Sequence, residues 1–170
     1  MNKNFYIAIA VLFAFVFVGN TNVFAKEQGG EKMSEQHRSD VAKVVQGLEK
    51  VAGKDAGIGE EVKAVAQEEK DGVADVVEKM EKVENRGGFK SFFIGSDYKN
   101  LGALRSELVT TQNHIDRLMK SAERASSTEI KAELQTQIDE LKGIQTKAEE
   151  FIKGQEGKFS LFGWLVKMFQ

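Results

Sequence analysis

Proton transfer and metal ligation near neutral pH ask first for histidine, and this chain has two, His37 and His114. Neither belongs to an H-E-x-x-H pair, and there is no cysteine to complete a zinc set. A carboxylate-bridged metal site inside a helical bundle would call for two E-x-x-H motifs, and the sequence has none. No G-x-S-x-G elbow, P-loop or G-x-G-x-x-G cradle occurs. Gly29-Gly30 and Gly87-Gly88 mark turns or linkers, because neither pair joins a strand to a helix. Carboxylates are abundant but interleaved with lysines. Glu78 with Lys82, Asp116 with Lys120 and Glu149 with Lys153 stand at i,i+4 and support helix surfaces. His114, beside the apolar Ile115, reads as a surface residue, and His37 as part of a flexible beginning. The expectation is a protein without catalytic, cofactor-binding or metal-ligating residues, and therefore not an enzyme.

The elements that would position any side chain are helices. Proline is absent, and Ala, Glu, Lys, Gln and Leu are plentiful. Leu101, Leu104, Leu108, Thr111, Ile115, Leu118, Ala122 and Ala125 alternate steps of three and four, the a/d seam of a heptad repeat. A second run follows at Ile130, Leu134, Ile138, Leu141, Ile144, Ala148 and Phe151. Between the runs, Ser126 and Glu129 fit an S-x-x-E capping box, and Asp97 can cap the first run. So short a connection folds the two helices into an antiparallel hairpin.

Upstream, Val41, Val44, Val45, Leu48 and Val51 mark one amphipathic segment. Val62, Val65, Val73, Val76, Val77, Met80 and Val83 mark another, with Gly53, Gly57 and Gly59 between them. Valine buries less area than leucine, and Glu69 stands in the apolar stripe, so these helices should be the weaker pair. They can pack back on the hairpin or pair with a second chain. Packing back is expected, because the hairpin seam would otherwise stay wet on one side. The fold class is thus all-α: a long antiparallel, coiled-coil-like hairpin completed by two weaker N-terminal helices into a small bundle, with an aromatic amphipathic C-terminal segment. The expected boundaries are a signal peptide at 1–25, a flexible segment at 26–37 and Val-rich helices at 38–85. An aromatic glycine-rich loop at 86–96, the hairpin at 97–157 and the tail at 158–170 follow.

Beyond residue 25 the aromatic residues are Phe89, Phe92, Phe93, Tyr98, Phe151, Phe159, Phe162, Trp164 and Phe169, all at the open end of the hairpin. A turn near Ser126 brings Phe93 level with Phe159. Phe89, Phe92, Phe93, Phe159, Phe162, Trp164, Leu165 and Phe169 are the candidate contact or membrane surface. The bland reading is a small core that staples the helix ends together. The sharper one is an interfacial helix, since Lys158 and Lys167 flank a Trp- and Phe-rich amphipathic stretch. A docking site for a protein partner is a third. A spanning helix fails on length and on Lys167.

Lys3, the apolar run at 5–18 and the small-residue site Val23-Phe24-Ala25 form a secretory leader, too short to span a bilayer. Whole-chain charge is 24 Lys plus Arg against 26 Asp plus Glu, and the leader contributes only Lys3. That mixed balance offers no basic face and excludes nucleic acid as a partner. An exported chain without cysteine must be held by packing alone. A leader followed by a small helical bundle and an aromatic tail is an architecture common among bacterial envelope proteins. The functional expectation is an exported, periplasmic or extracellular, non-enzymatic helical protein acting as an interaction or structural module. Its partner would be an unknown protein or a second copy bound through helices. A peripheral membrane or lipid-binding protein, and a periplasmic chaperone using the Val-rich helices as a cradle, are the alternatives.

Overall fold

A computed structural model describes residues 32–86, 90 and 95–157, and every regular element among them is helical. The helices are α1 (Met33–Ala52), α2 (Gly59–Glu84), α3 (Tyr98–Glu123) and α4 (Thr128–Glu156). Each packs on the next, and α4 packs back on α1, closing a four-helix bundle. Polar bonds across the interfaces fix the directions. Ser34 meets Glu84, Arg105 meets Glu156, and on the α1–α4 side Lys54 meets Glu133 and Asp40 meets Lys147. Early residues of one helix therefore face late residues of its neighbour. The Val-rich helices do pack on the Leu-rich ones. The first helix starts at Met33, so residues 33–37, expected in the flexible segment, are its opening turns.

Three of the four helix starts are secured by side chains, one of them borrowed from another helix. Asp97 accepts the Asn100 N–H at 3.3 Å and caps α3, while Arg86 pairs with the same carboxylate at 3.3 Å. The cap of α4 is Ser127, which accepts the Ile130 N–H at 3.2 Å, one residue later than the Ser126 capping box anticipates. Ser126 is occupied elsewhere: its N–H donates to Asp55 Oδ2 at 2.8 Å. Lys32 gives α1 no side-chain cap. Glu84, from the far end of α2, takes that role, accepting the Ser34 N–H at 3.0 Å and the Ser34 hydroxyl at 2.6 Å.

The two turns at the opposite end are sewn together by Asp55. Besides Ser126, its carboxylate accepts the Gly57 N–H at 2.8 Å. These two backbone donors, Ser126 first, hold the Asp55 carboxyl below its ordinary value of 3.8. The stabilisation is therefore present above that value and is lost as pH falls through the lowered one. Gly59 starts α2 so close to the end of α1 that a Cβ there would stand 2.5 Å from the Ala52 carbonyl oxygen.

The core divides into two clusters. The larger joins Val41, Val44, Leu48, Val62 and Val65 to Ile115, Leu118, Leu134, Ile138 and Leu141. The smaller joins Met80, Val83, Leu101, Leu104, Ala148, Phe151 and Ile152. Between them the expected α3 seam lapses, for Leu108 and Thr111 are only half-buried. His114 is buried instead, because a globular bundle covers a stripe wider than the a/d positions alone. Gly72 stands at the same level on α2, with nothing within 4 Å of where its Cβ would lie.

These two glycines make opposite expectations. Gly59→Ala should destabilise by about 1–3 kcal/mol, since backbone must shift. Gly72→Ala should stabilise by about 0.5–1 kcal/mol, because a mid-helix glycine is replaced where space is open. Urea midpoints of the two variants against the parent check both signs.

Candidate functional site

The polar cluster inside the bundle begins with Glu69. Its position on α2 falls in the stripe of Val62, Val65, Ala66, Val77 and Met80, so folding that stripe inward carries a carboxylate with it. Only 9% of the residue is exposed. A buried carboxylate is costly unless it is paired. The partner is His114 of α3, 6% exposed, whose Nδ1 lies 2.7 Å from Glu69 Oε1. The other ring nitrogen, Nε2, lies 2.8 Å from Glu68 Oε2. Two carboxylates on the two ring nitrogens demand two N–H donors, which only the imidazolium provides. Accordingly the His114 pKa is raised above 6.5, chiefly by the hydrogen bond with Glu69, against the opposing effect of burial.

The network continues outward to solvent. Arg117, one turn along α3, donates from Nε to Glu61 Oε1 at 2.6 Å and from Nη1 to the same Glu68 oxygen that His114 approaches. The Arg117 hydrogen bond is the first cause that holds the Glu68 carboxyl below its ordinary value. Glu61, Glu68 and Glu69 thus face Arg117 and His114, three acids against two bases. With the imidazole neutral, the excess of negative charge would double, and this favours keeping the proton.

His114 and Glu69 also border a cavity of about 40 Å³ that fills the gap between the two core clusters. Its other walls include His37, Gly72, Val73, Leu108, Thr111 and Gln145. That volume suits a few water molecules, well short of the ~300 Å³ of a typical organic ligand site. His37 enters it from α1. Burial pushes the His37 pKa below 6.5, while the charges of Glu69 and then Asp40 pull it the other way. One cavity therefore holds two histidines whose proton affinities are driven apart. Among the described residues no group of three or more His, Cys, Asp or Glu is arranged to hold a metal ion.

Two expectations are corrected here. His114 is not a surface residue, and His37 lies within α1. The signal that could have found the pair was Glu69 in the apolar stripe of α2. A carboxylate there requires a buried cation, and the histidine beside the α3 seam was available. The candidate contact residues Phe89, Phe92, Phe93, Phe159, Phe162, Trp164, Leu165 and Phe169 lie outside the described residues, as do the leader and the tail. Of the remaining aromatics, Phe151 is buried in the smaller core cluster and Tyr98 is exposed at the start of α3. Among the described residues no helix is long and apolar enough to cross a membrane. Nothing matches this chain among protein-family models, curated proteins or solved structures.

Removing one partner of the buried pair should cost more than removing both. His114→Leu is expected to destabilise by about 2–4 kcal/mol, because Glu69 is left buried and unpaired. The double variant His114→Leu/Glu69→Leu should recover a large part of that loss. Chemical unfolding of the single and double variants measures the coupling, and additive losses would show that the two residues act independently.

Proposed function

We propose that this chain is an exported helical protein of the bacterial cell envelope, an interaction or structural module that works through its surfaces and catalyses no reaction. The finer architecture belongs to the same proposal. In it α3 and α4 form a coiled-coil-like hairpin, the Val-rich α1 and α2 complete the bundle, and residues 158–170 form an amphipathic aromatic segment. The observation that carries the reading is the self-complementary interior. Both nitrogens of His114 are taken up by carboxylates and Arg117 is taken up by Glu61 and Glu68, so these groups are engaged with one another. The leader pattern, Lys3 with the apolar run 5–18 and Val23-Phe24-Ala25, supports export.

The contact surface or staple in this reading is Phe89, Phe92 and Phe93 together with Phe159, Phe162, Trp164, Leu165 and Phe169, closed over one another at the open end of the hairpin or against a second copy. A second reading is favoured by one specific feature: Lys158 and Lys167 flank the aromatic stretch, as in a helix that lies in the headgroup layer. Trp164 is the single tryptophan and reports on both. The expected outcome is blue-shifted emission, protected from iodide in buffer and unchanged by anionic vesicles. Emission exposed in buffer and protected only with vesicles would replace the first reading by the membrane one. Export has its own check. Expressed in a bacterial host, the protein should be recovered from the envelope fraction with Lys26 as its first residue, whereas an intact Met1 form in the cytosol would overturn it.

A further inference from the structure

The two histidines of this chain line one small cavity from different helices, His37 from α1 and His114 from α3, with the Glu69 carboxylate of α2 bordering the same space. Glu69 is already committed to His114 at 2.7 Å. A proton added to His37 would therefore place a second cation beside a small space whose buried acid is already neutralised. The other charges near the cavity are likewise committed. On α1, Asp40 is held by Lys147 of α4 at 2.8 Å and by the Gln36 amide at 2.8 Å. On α2, Glu68 is held by Arg117 as well as His114, and on α3, Glu107 is met by Lys79 at 3.3 Å. From α4 the cavity wall receives Leu141, Ile144, Gln145 and Ala148, which carry no charge. An imidazolium at position 37 finds no free anion here and gains most by moving into water.

We propose that this cavity is a proton-operated joint: acidification charges His37 and releases the first half of α1 from the bundle, while protonated His114 keeps α2 and α3 tied through Glu69. The two groups act with opposite sign. His37 binds its proton more weakly in the folded state, so its contribution is complete above 6.5 and is lost as pH falls through its lowered value. His114 binds its proton more strongly when folded, so its contribution is complete below 6.5 and is lost as pH rises through its raised value. Mild acid thus acts on α1 alone. The first half of α1 is suited to release, since beyond His37 and Val41 its ties are few: Met33 against the smaller core cluster, the Glu84 cap, and the ion pairs of Asp40 with Lys147 at 2.8 Å and Arg38 with Glu81 at 3.5 Å.

With two histidines in the chain, one substitution assigns both ring signals in a nuclear magnetic resonance titration of the purified protein. His114 should titrate above 6.5 and His37 below it. Glu69→Gln should lower both midpoints, because the same carboxylate acts on both rings. Amide exchange, corrected for its intrinsic pH dependence, should then show protection in the first half of α1 falling on the order of tenfold between pH 7 and 5. Protection in α3 should hold over that range, and His37→Leu should abolish the acid response of α1. The joint is overturned if His37 titrates at or above its ordinary value, if α1 keeps its protection in acid, or if the response survives in His37→Leu. Should that variant fail to fold, the titration and exchange of the unsubstituted protein decide the matter.

Discussion

A carboxylate that leaves water must take a cation with it, and in this bundle that requirement fixes how α2 meets α3. Glu69 lies in the stripe that α2 must bury, so α3 has to present a base at the same height, and His114 is that base. Hydrophobic burial alone would specify the interface loosely. The valines of α2 recur at near-regular spacing and are similar in size, and a shift by one turn would exchange one valine contact for another. Such a shift would strand Glu69 opposite an apolar residue, at a cost of several kcal/mol. The ion pair therefore acts as the register mark for a face that is otherwise uniform.

The ends of the bundle apply the same chemistry in a milder form. Glu84 caps α1 from the end of α2, and Asp55 joins the α1–α2 turn to the α3–α4 turn through backbone N–H groups. In each case a carboxylate from one element satisfies donors that a neighbouring element leaves open. These contacts are short in space and long in sequence, so they form only once the helices are docked. They make the four helices one cooperative unit, where a heptad pattern by itself would leave a hairpin with two appendages.

Much of the fold was legible because helix periodicity is written in residue types. The Leu and Ile spacing of α3 and α4 and the Val spacing of α1 and α2 identify the buried faces directly, and the absence of proline points the same way. The exact caps were less legible. Ser126 and Ser127 are both able to cap α4, and the choice falls to Ser127 because Asp55, distant in sequence, claims the Ser126 N–H. The polar cluster was the hardest to read. Its members come from three helices and none belongs to a local motif, so only the misplaced acid at position 69 carried the information. A histidine next to a seam reads as exposed when the seam is taken as two residues wide. It becomes buried when the bundle needs a wider stripe, as it does where Thr111 and Gly72 supply too little apolar volume.

That shortage of volume also explains why a buried ion pair stands at this level. A leucine at 72 or 111 would extend the two core clusters into one, and apolar replacement of a buried ion pair is often neutral or stabilising. The arrangement observed keeps a small cavity, two histidines and an acid where a continuous core would be the more stable solution. Stability alone does not favour that choice. Register accounts for Glu69 and His114, but it asks nothing of His37, which is half-buried on the cavity wall, where partial desolvation disfavours its charged form. The residue that packing and pairing leave unexplained is therefore also the one whose protonation would act first on α1.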